Sequence, residues 1–94
     1  MDKKQILETA IKCVTKDRNG SYGEPEQQFA CAQKIKNIFF EEFGSCRVWS
    51  MVEKEALEMI ITKLSRIVTG NSTVDTYVDI AGYASIAGQS VKEV

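Results

Sequence analysis

The sequence contains no histidine, only one proline, three cysteines and a single tryptophan among its 94 residues. The lack of histidine excludes the commonest general base, and with it every mechanism that depends on a Ser-His or Cys-His pair. Three widely spaced cysteines without histidine indicate neither a disulfide framework nor a C-x-x-C zinc site. Any chemistry in this chain must therefore use carboxylates, lysine, tyrosine or a bound metal.

Charge of one sign and long apolar runs are also lacking. The formal net charge is −1, and the basic residues are scattered instead of clustered, which argues against long nucleic acid as a partner. No apolar run reaches the roughly 20 residues of a membrane span, and the N-terminus lacks the apolar segment of a secretory signal. We therefore expect no membrane partner and a cytoplasmic location.

What is present is the composition of one compact domain. Hydrophobic residues make up 44% of the chain and charged residues 27%, which predicts a single domain over residues 1–94. So short a chain builds only a small core, and association would bury further apolar surface. We therefore predict a homo-oligomer.

Apolar residues recur at helical spacing in four segments, which predicts an all-α, four-helix bundle. Gly44 is the predicted C-cap of the second helix. Ser50 and Glu53 match the reciprocal Ser-x-x-Glu capping box at the start of the third, and Ser72 or Thr73 caps the fourth. The predicted helices cover about residues 2–16, 25–43, 51–69 and 73–89.

Two surfaces of the later helices are predicted to pack. Gly82 and Gly88, beside small alanine and serine residues, would let another helix approach the fourth helix closely. The third helix carries a broad apolar arc that we expect to face the core. This arc consists of Ala56, Leu57, Ile60, Ile61, Leu64, Ile67 and Val68.

The third and fourth helices each carry a carboxylate pair. Glu55 and Glu58 lie on the third helix, and Asp75 and Asp79 lie on the fourth, with Tyr83 one turn further on. Residues three or four apart project from one helix face, so both carboxylates of a pair can reach one ion. Four such carboxylates would suit magnesium or manganese, which could then hold a phosphate.

The same residues have a structural interpretation. Asp75 lies in a first helical turn, where the helix dipole favours an anion, whereas Asp79 lies in mid-helix without a capping role and needs a partner. Lys63 and Arg66 could contact a phosphate or pair with the aspartates, for example as an Arg66–Asp79 ion pair.

The loop "DRNGSYGEP" before the second helix is rich in glycine. Such turns aim backbone amides at anions, although the Gly-Lys-Ser/Thr ending of a P-loop is missing. Arg18 and Tyr22 in this loop are candidate ligand contacts. Tyr22 could stack on a base or cover the core with its hydroxyl in water.

This loop, the helix "EALEMIITKLSRIVTG" and the segment "VDTYVDIAGYASIAG" together resemble a family of small phage and prophage helical proteins of unassigned function. That family is similar in turn to the MazG-like all-α nucleoside triphosphate pyrophosphohydrolases. The likeness covers residues 17–88 and implies a MazG-like bundle, in the cytosol of the host if a phage encodes it. In those enzymes a Glu-Glu-x-x-Glu and a Glu-x-x-Asp motif bind the magnesium that holds the triphosphate.

The chain departs from both enzyme motifs. Glu55 and Glu58 match only the Glu-x-x-Glu part, because residue 54 is lysine. The spacing from Asp75 to Asp79 is one residue too long for the second motif. A nucleotide fold that has lost metal ligands predicts binding without turnover and no cofactor.

The leading hypothesis is a phage-type accessory protein that sequesters cyclic nucleotide or cyclic ADP-ribose-like immune signals and so acts against host defence. One alternative is a magnesium-dependent nucleoside triphosphate pyrophosphohydrolase, and another is a structural or protein-binding bundle. The predicted ligand contacts are Arg18, Tyr22, Lys63, Arg66, Asp75, Asp79 and Tyr83. The enzyme alternative would bind Mg²⁺ through Glu55, Glu58, Asp75 and Asp79.

Overall fold

The computed structural model describes residues 1–12 and 24–91, and these residues form four helices and no strand. The predicted all-α class is confirmed. Residues 13–16, predicted as the end of the first helix, lie outside the described ranges. The helices are α1 (Lys3–Lys12), α2 (Pro25–Lys36, continued by the π-helical segment Asn37–Phe43), α3 (Met51–Thr69) and α4 (Val74–Ser90).

Local side-chain caps start the two long helices. At α3, the Ser50 hydroxyl oxygen accepts a hydrogen bond from the Glu53 amide at 3.1 Å. The Glu53 carboxylate, predicted to return to the Ser50 amide, accepts instead from Arg47 Nη2 at 2.9 and 3.2 Å. At α4, Thr73 Oγ1 accepts from the Thr76 amide at 3.3 Å, so Thr73 is the cap.

The chain turns tightly where α2 and its π-helical continuation end. Gly44 follows the last helical residue with a φ of −93°, a conformation open to any residue, so backbone freedom does not explain the glycine. The lack of space explains it, because a Cβ at residue 44 would lie 2.6 Å from the Phe39 carbonyl oxygen and 3.1 Å from Trp49 Cζ2. Trp49 folds back over this turn and donates its indole N–H to the Gly44 carbonyl oxygen at 3.1 Å.

Helix α3 is central, because it packs against both α2 and α4. Only part of its predicted apolar arc faces the core, since Leu64 and Val68 are 42% and 72% exposed. No second layer of helices covers this part of α3 in the described chain. The buried hydrophobic side chains are those of Ala32, Phe40, Ala56, Ile61 and Ala87.

Helix α1 adds nothing to this core, as none of its residues is buried. The radius of gyration is 15.9 Å, against about 12 Å for a compact chain of this length. Among the helices that the structure describes, none has the length and apolarity needed to cross a membrane.

Candidate ligand site

An ion pair joins the two long helices. Lys63 Nζ on α3 lies 2.9 Å from Asp79 Oδ2 on α4. The lysine side chain is only 15% exposed, whereas the aspartate side chain is 46% exposed. Lys63 and Arg66 were both predicted as possible partners of the aspartates, with Arg66–Asp79 as the example, and the ion pair observed at Asp79 is with Lys63. Arg66 itself is half-buried.

The other three carboxylates of the magnesium alternative, those of Glu55, Glu58 and Asp75, lie in different surroundings. Glu58 lies 3.9 Å from Lys36 of α2, whereas Glu55 is exposed at the groove between α3 and α4. Asp75 is exposed and makes no ion pair within the part of the chain that the structure describes. The two pairs predicted from the sequence therefore do not converge.

The donor set that magnesium would need is consequently not assembled. Among residues 1–12 and 24–91, no three acidic or cysteine side chains lie close enough together to hold a metal ion. Lys54, between Glu53 and Glu55, extends over the ring of Phe40, with its ammonium 5.5 Å from the ring centroid. Within the described ranges, the four carboxylates of the magnesium alternative therefore do not form one donor set.

A groove of about 380 Å³ lies between the first half of α3 and the second half of α4. We call it the α3–α4 groove. Its walls are almost wholly apolar, and Tyr83 and Glu55 are the residues that bring polar atoms to it. Its lining consists of Met51, Val52, Glu55, Ala56, Met59, Tyr83 and Ile86.

A second depression is lined by α4 alone, and we call it the Gly82 face. It is formed by Val78, Asp79, Gly82, Tyr83, Ser85 and Ile86. Tyr83 and Ile86 belong to both depressions, so the Asp79 carboxylate lies one helical turn from the wall of the α3–α4 groove. Of the predicted ligand contacts, the structure thus brings Lys63, Asp79 and Tyr83 together along one edge.

The glycine in this face has no close neighbour in residues 1–12 and 24–91. In these ranges, a Cβ built on Gly82 or on Gly88 would meet nothing within 4 Å. The close helix approach predicted for these two glycines therefore does not occur within the described chain. Arg18 and Tyr22, the predicted loop contacts, lie outside the described residues.

Sequence reasoning missed an aromatic cluster at the turn between α2 and α3. The ring centroids of Phe40 and Trp49 lie 5.2 Å apart, and those of Phe39 and Trp49 lie 5.8 Å apart. The guanidinium of Arg47 lies 4.1 Å from the Trp49 ring centroid, while it also binds Glu53. The single tryptophan, five residues after a glycine, is the signal that could have indicated this contact.

Comparison with known families places the chain. The model of a domain of unknown function, DUF6378, matches residues 5–91. The chain belongs to the DUF6378 family. The match takes in α2, α3 and α4 entirely and all but the first two residues of α1, so the α3–α4 groove and the Gly82 face both lie within the DUF6378 domain. No curated protein and no solved structure matches the chain.

Proposed function

We propose that the protein binds a small nucleotide-derived ligand at the edge shared by the α3–α4 groove and the Gly82 face, and that it does not turn this ligand over. The observation that carries the proposal is that Asp79 is ion-paired and yet partly exposed. Its carboxylate is held from one side by Lys63 at 2.9 Å, yet the side chain is 46% exposed. The ion pair with Lys63 fixes the position of the carboxylate, and the exposed part of the side chain can accept hydrogen bonds from ligand hydroxyl groups.

The α3–α4 groove supplies the apolar part of such a site. Its volume of about 380 Å³ falls within the ~300–1,000 Å³ of small-molecule pockets, which are mostly apolar with a few placed polar groups. Tyr83 and Met59 in its wall offer surfaces on which a planar base can lie. The ribose of a nucleotide seated there would reach towards Asp79, one turn along α4.

Binding without turnover is supported by the partners of the carboxylates. Glu58 and Asp79, two of the four residues of the magnesium alternative, are already in contact with Lys36 and Lys63. Lysine supplies the positive charge that a magnesium ion would bring, without its ability to activate water. The pyrophosphohydrolase alternative stays a prediction that a turnover assay decides.

The biological role that we propose follows from the resemblance of the chain to small phage proteins and to the MazG-like bundle. In that setting, a binder without turnover acts as a sponge that lowers the free concentration of a cyclic nucleotide or cyclic ADP-ribose-like immune signal. The proposal includes a homo-oligomer in the cytosol, because the core is small and much apolar surface is exposed.

Calorimetric titration tests the proposal. The purified protein is titrated with cyclic ADP-ribose, with a cyclic dinucleotide and with ATP. We expect binding in the micromolar range for at least one of them, with the ligand recovered unchanged. Tyr83→Ala should weaken that binding, whereas Tyr77→Ala, an exposed tyrosine on the same helix and outside both depressions, should not.

Two results would contradict the proposal. The absence of binding tighter than millimolar for all three compounds would remove the ligand site. Release of pyrophosphate from nucleoside triphosphates with Mg²⁺, lost in Asp79→Ala, would replace sequestration by catalysis.

A further inference from the structure

The π-helical continuation of α2 carries an exposed apolar stripe. Phe43 is 81% exposed, and Ile38 and Phe39 are partly exposed. Hydrogen bonds in a π-helix join residues five apart, so Phe43 lies one turn after Ile38, on the same side of the helix as Phe39. We call Ile38, Phe39 and Phe43 the π-helical stripe. Large aromatic side chains gain much from being covered, and π-helical segments are frequent at functional sites.

Negative charge borders this stripe. Glu41 and Glu42 are exposed, and neither is in an ion pair within the described ranges. Both lie in the last turn of the helix, where the helix dipole favours cations, yet this turn contains no basic residue. The cations that follow along the chain, Arg47 and Lys54, are engaged with other side chains. The end of α2 therefore suits a partner that combines apolar side chains with positive charge.

Helix α1 has this combination. Ile6, Leu7 and Ile11 are each more than half exposed, and we call them the α1 stripe. The ten residues of α1 contain three lysines and one glutamate. Lys3 lies three and four residues before Ile6 and Leu7, so it borders the α1 stripe on the same side of the helix. It makes no ion pair within the part of the chain that the structure describes.

Local bonds start α1, but they do not cover its apolar side. Asp2 Oδ1 accepts from the Gln5 amide at 2.8 Å, and Gln5 Oε1 accepts from the Asp2 amide at 2.9 Å. Helices shorter than about 12–15 residues are marginal in water unless an apolar face packs. The chain does not provide this packing from its own described residues, since no residue of α1 is buried.

We propose that α1 of a second copy lies on the π-helical stripe, with the lysines of its first turn, Lys3 and Lys4, beside Glu41 and Glu42. The exchange is reciprocal, so the same contact forms twice around a two-fold axis and closes a dimer. The opposite charges fix the direction in which α1 lies, while the apolar stripes exclude water.

The interface is separate from the proposed ligand site. None of its residues lines the α3–α4 groove or the Gly82 face. The dimer therefore leaves both depressions open to a ligand, and the inference does not rest on nucleotide binding.

Two charge-reversed variants test the proposal by light scattering. Lys3→Glu with Lys4→Glu makes the first turn of α1 acidic, and Glu41→Lys with Glu42→Lys makes the end of α2 basic. Each variant alone brings like charges together in both contacts, whereas an equimolar mixture of the two restores opposite charges in both. The new charges suit the helix dipoles, anions at an N-terminus and cations at a C-terminus, so circular dichroism should report unchanged folding.

We expect the wild type to have twice the monomer mass of 10.5 kDa. Each charge-reversed variant should be monomeric, or dissociate at protein concentrations at least about tenfold higher than the wild type, which corresponds to about 1.4 kcal/mol. The mixture should return to the dimer mass. Glu24→Lys with Glu26→Lys is the matched control, because it makes the same change of charge at the opposite end of α2 and should stay dimeric.

A second pair of variants tests the apolar part of the contact. Phe43→Ser should weaken the dimer by at least about tenfold, again about 1.4 kcal/mol. Phe29→Ser, which replaces an exposed phenylalanine near the start of α2, should leave the dimer unchanged.

Four results would overturn the inference. They are a monomeric wild type, a charge-reversed variant as dimeric as the wild type, a mixture that stays monomeric, and a Phe43→Ser variant with wild-type dimerisation. A monomeric wild type that loses stability in Phe43→Ser would assign the π-helical stripe to α1 of the same chain.

The two proposals fail separately. A monomeric wild type that still binds a nucleotide would contradict the interface and leave the ligand site. A dimer that charge reversal dissociates, but that binds none of the tested nucleotides, would contradict the ligand site and leave the interface.

Discussion

Gly44 and Gly82 are both glycines, but Gly44 is tightly packed whereas Gly82 has open space around it. A Cβ at Gly44 would lie 2.6 Å from a backbone oxygen and 3.1 Å from the tryptophan ring, whereas a Cβ at Gly82 would meet no described residue within 4 Å. The first glycine lets the chain pack against itself. The second leaves space that the chain does not use. The turn around Gly44 is therefore packed against its own chain, whereas the Gly82 face is open and belongs to the surface that we propose as a ligand site.

The largest effect is expected at Gly44. Gly44→Ala should lower the free energy of unfolding by roughly 2–3 kcal/mol, because the nearest atom is backbone and the turn must open to admit a methyl group. Urea unfolding followed by circular dichroism measures this at a fixed protein concentration. An unchanged transition midpoint would mean that the turn relaxes freely and that Gly44 is not needed for packing.

A smaller effect is expected from the residue that covers this turn. Trp49→Phe keeps an aromatic ring but removes the indole N–H that donates to the Gly44 carbonyl oxygen at 3.1 Å. Loss of this bond should cost about 2 kcal/mol, since it leaves a part-buried acceptor unsatisfied. The same unfolding experiment applies, and a cost near zero would show that water replaces the bond.

At the open glycines the sign of the effect should reverse. Gly88→Ala should raise the free energy of unfolding by about 0.5–1 kcal/mol, because alanine favours helix and no neighbour has to move. Destabilisation by this alanine would break the contrast between the two kinds of glycine.

The smallest effect concerns the ion pair beside the Gly82 face. Lys63→Met should lower the free energy of unfolding by no more than about 1 kcal/mol, because Asp79 is half exposed and water screens the pair. Lys36→Met, which removes the longer contact with Glu58, should cost less. A loss of several kcal/mol at Lys63 would assign the pair to the packing of α3 on α4 instead of to ligand binding.

Local chemistry explains which parts of the fold could be predicted from the sequence. The caps at Ser50 and Thr73 involve residues three apart, so the starts of α3 and α4 are encoded within a few residues. The return half of the capping box failed because Arg47, six residues from Glu53, competes for its carboxylate. That competition depends on how the preceding turn folds, which helical spacing does not encode.

The sequence indicated that Asp79 needs a partner and offered Lys63 and Arg66 for that role. The ion pair with Lys63 depends on the shift of α3 along α4, which helical spacing does not encode. A periodic arc likewise indicates which side of a helix is apolar without telling what covers it, as the exposure of Leu64 and Val68 illustrates.

The role of Asp79 is the central claim, and one titration tests it most directly. The tightest ligand among cyclic ADP-ribose, a cyclic dinucleotide and ATP is titrated into wild type, Asp79→Asn and Asp75→Asn. Asp75, a ligand contact predicted from the sequence, is the matched control, because it is exposed one turn earlier on α4, lines neither the α3–α4 groove nor the Gly82 face, and has no ion pair in the described chain. We predict at least about tenfold weaker binding for Asp79→Asn, a cost of about 1.4 kcal/mol, and wild-type affinity for Asp75→Asn. Equal affinities for all three proteins would contradict the account.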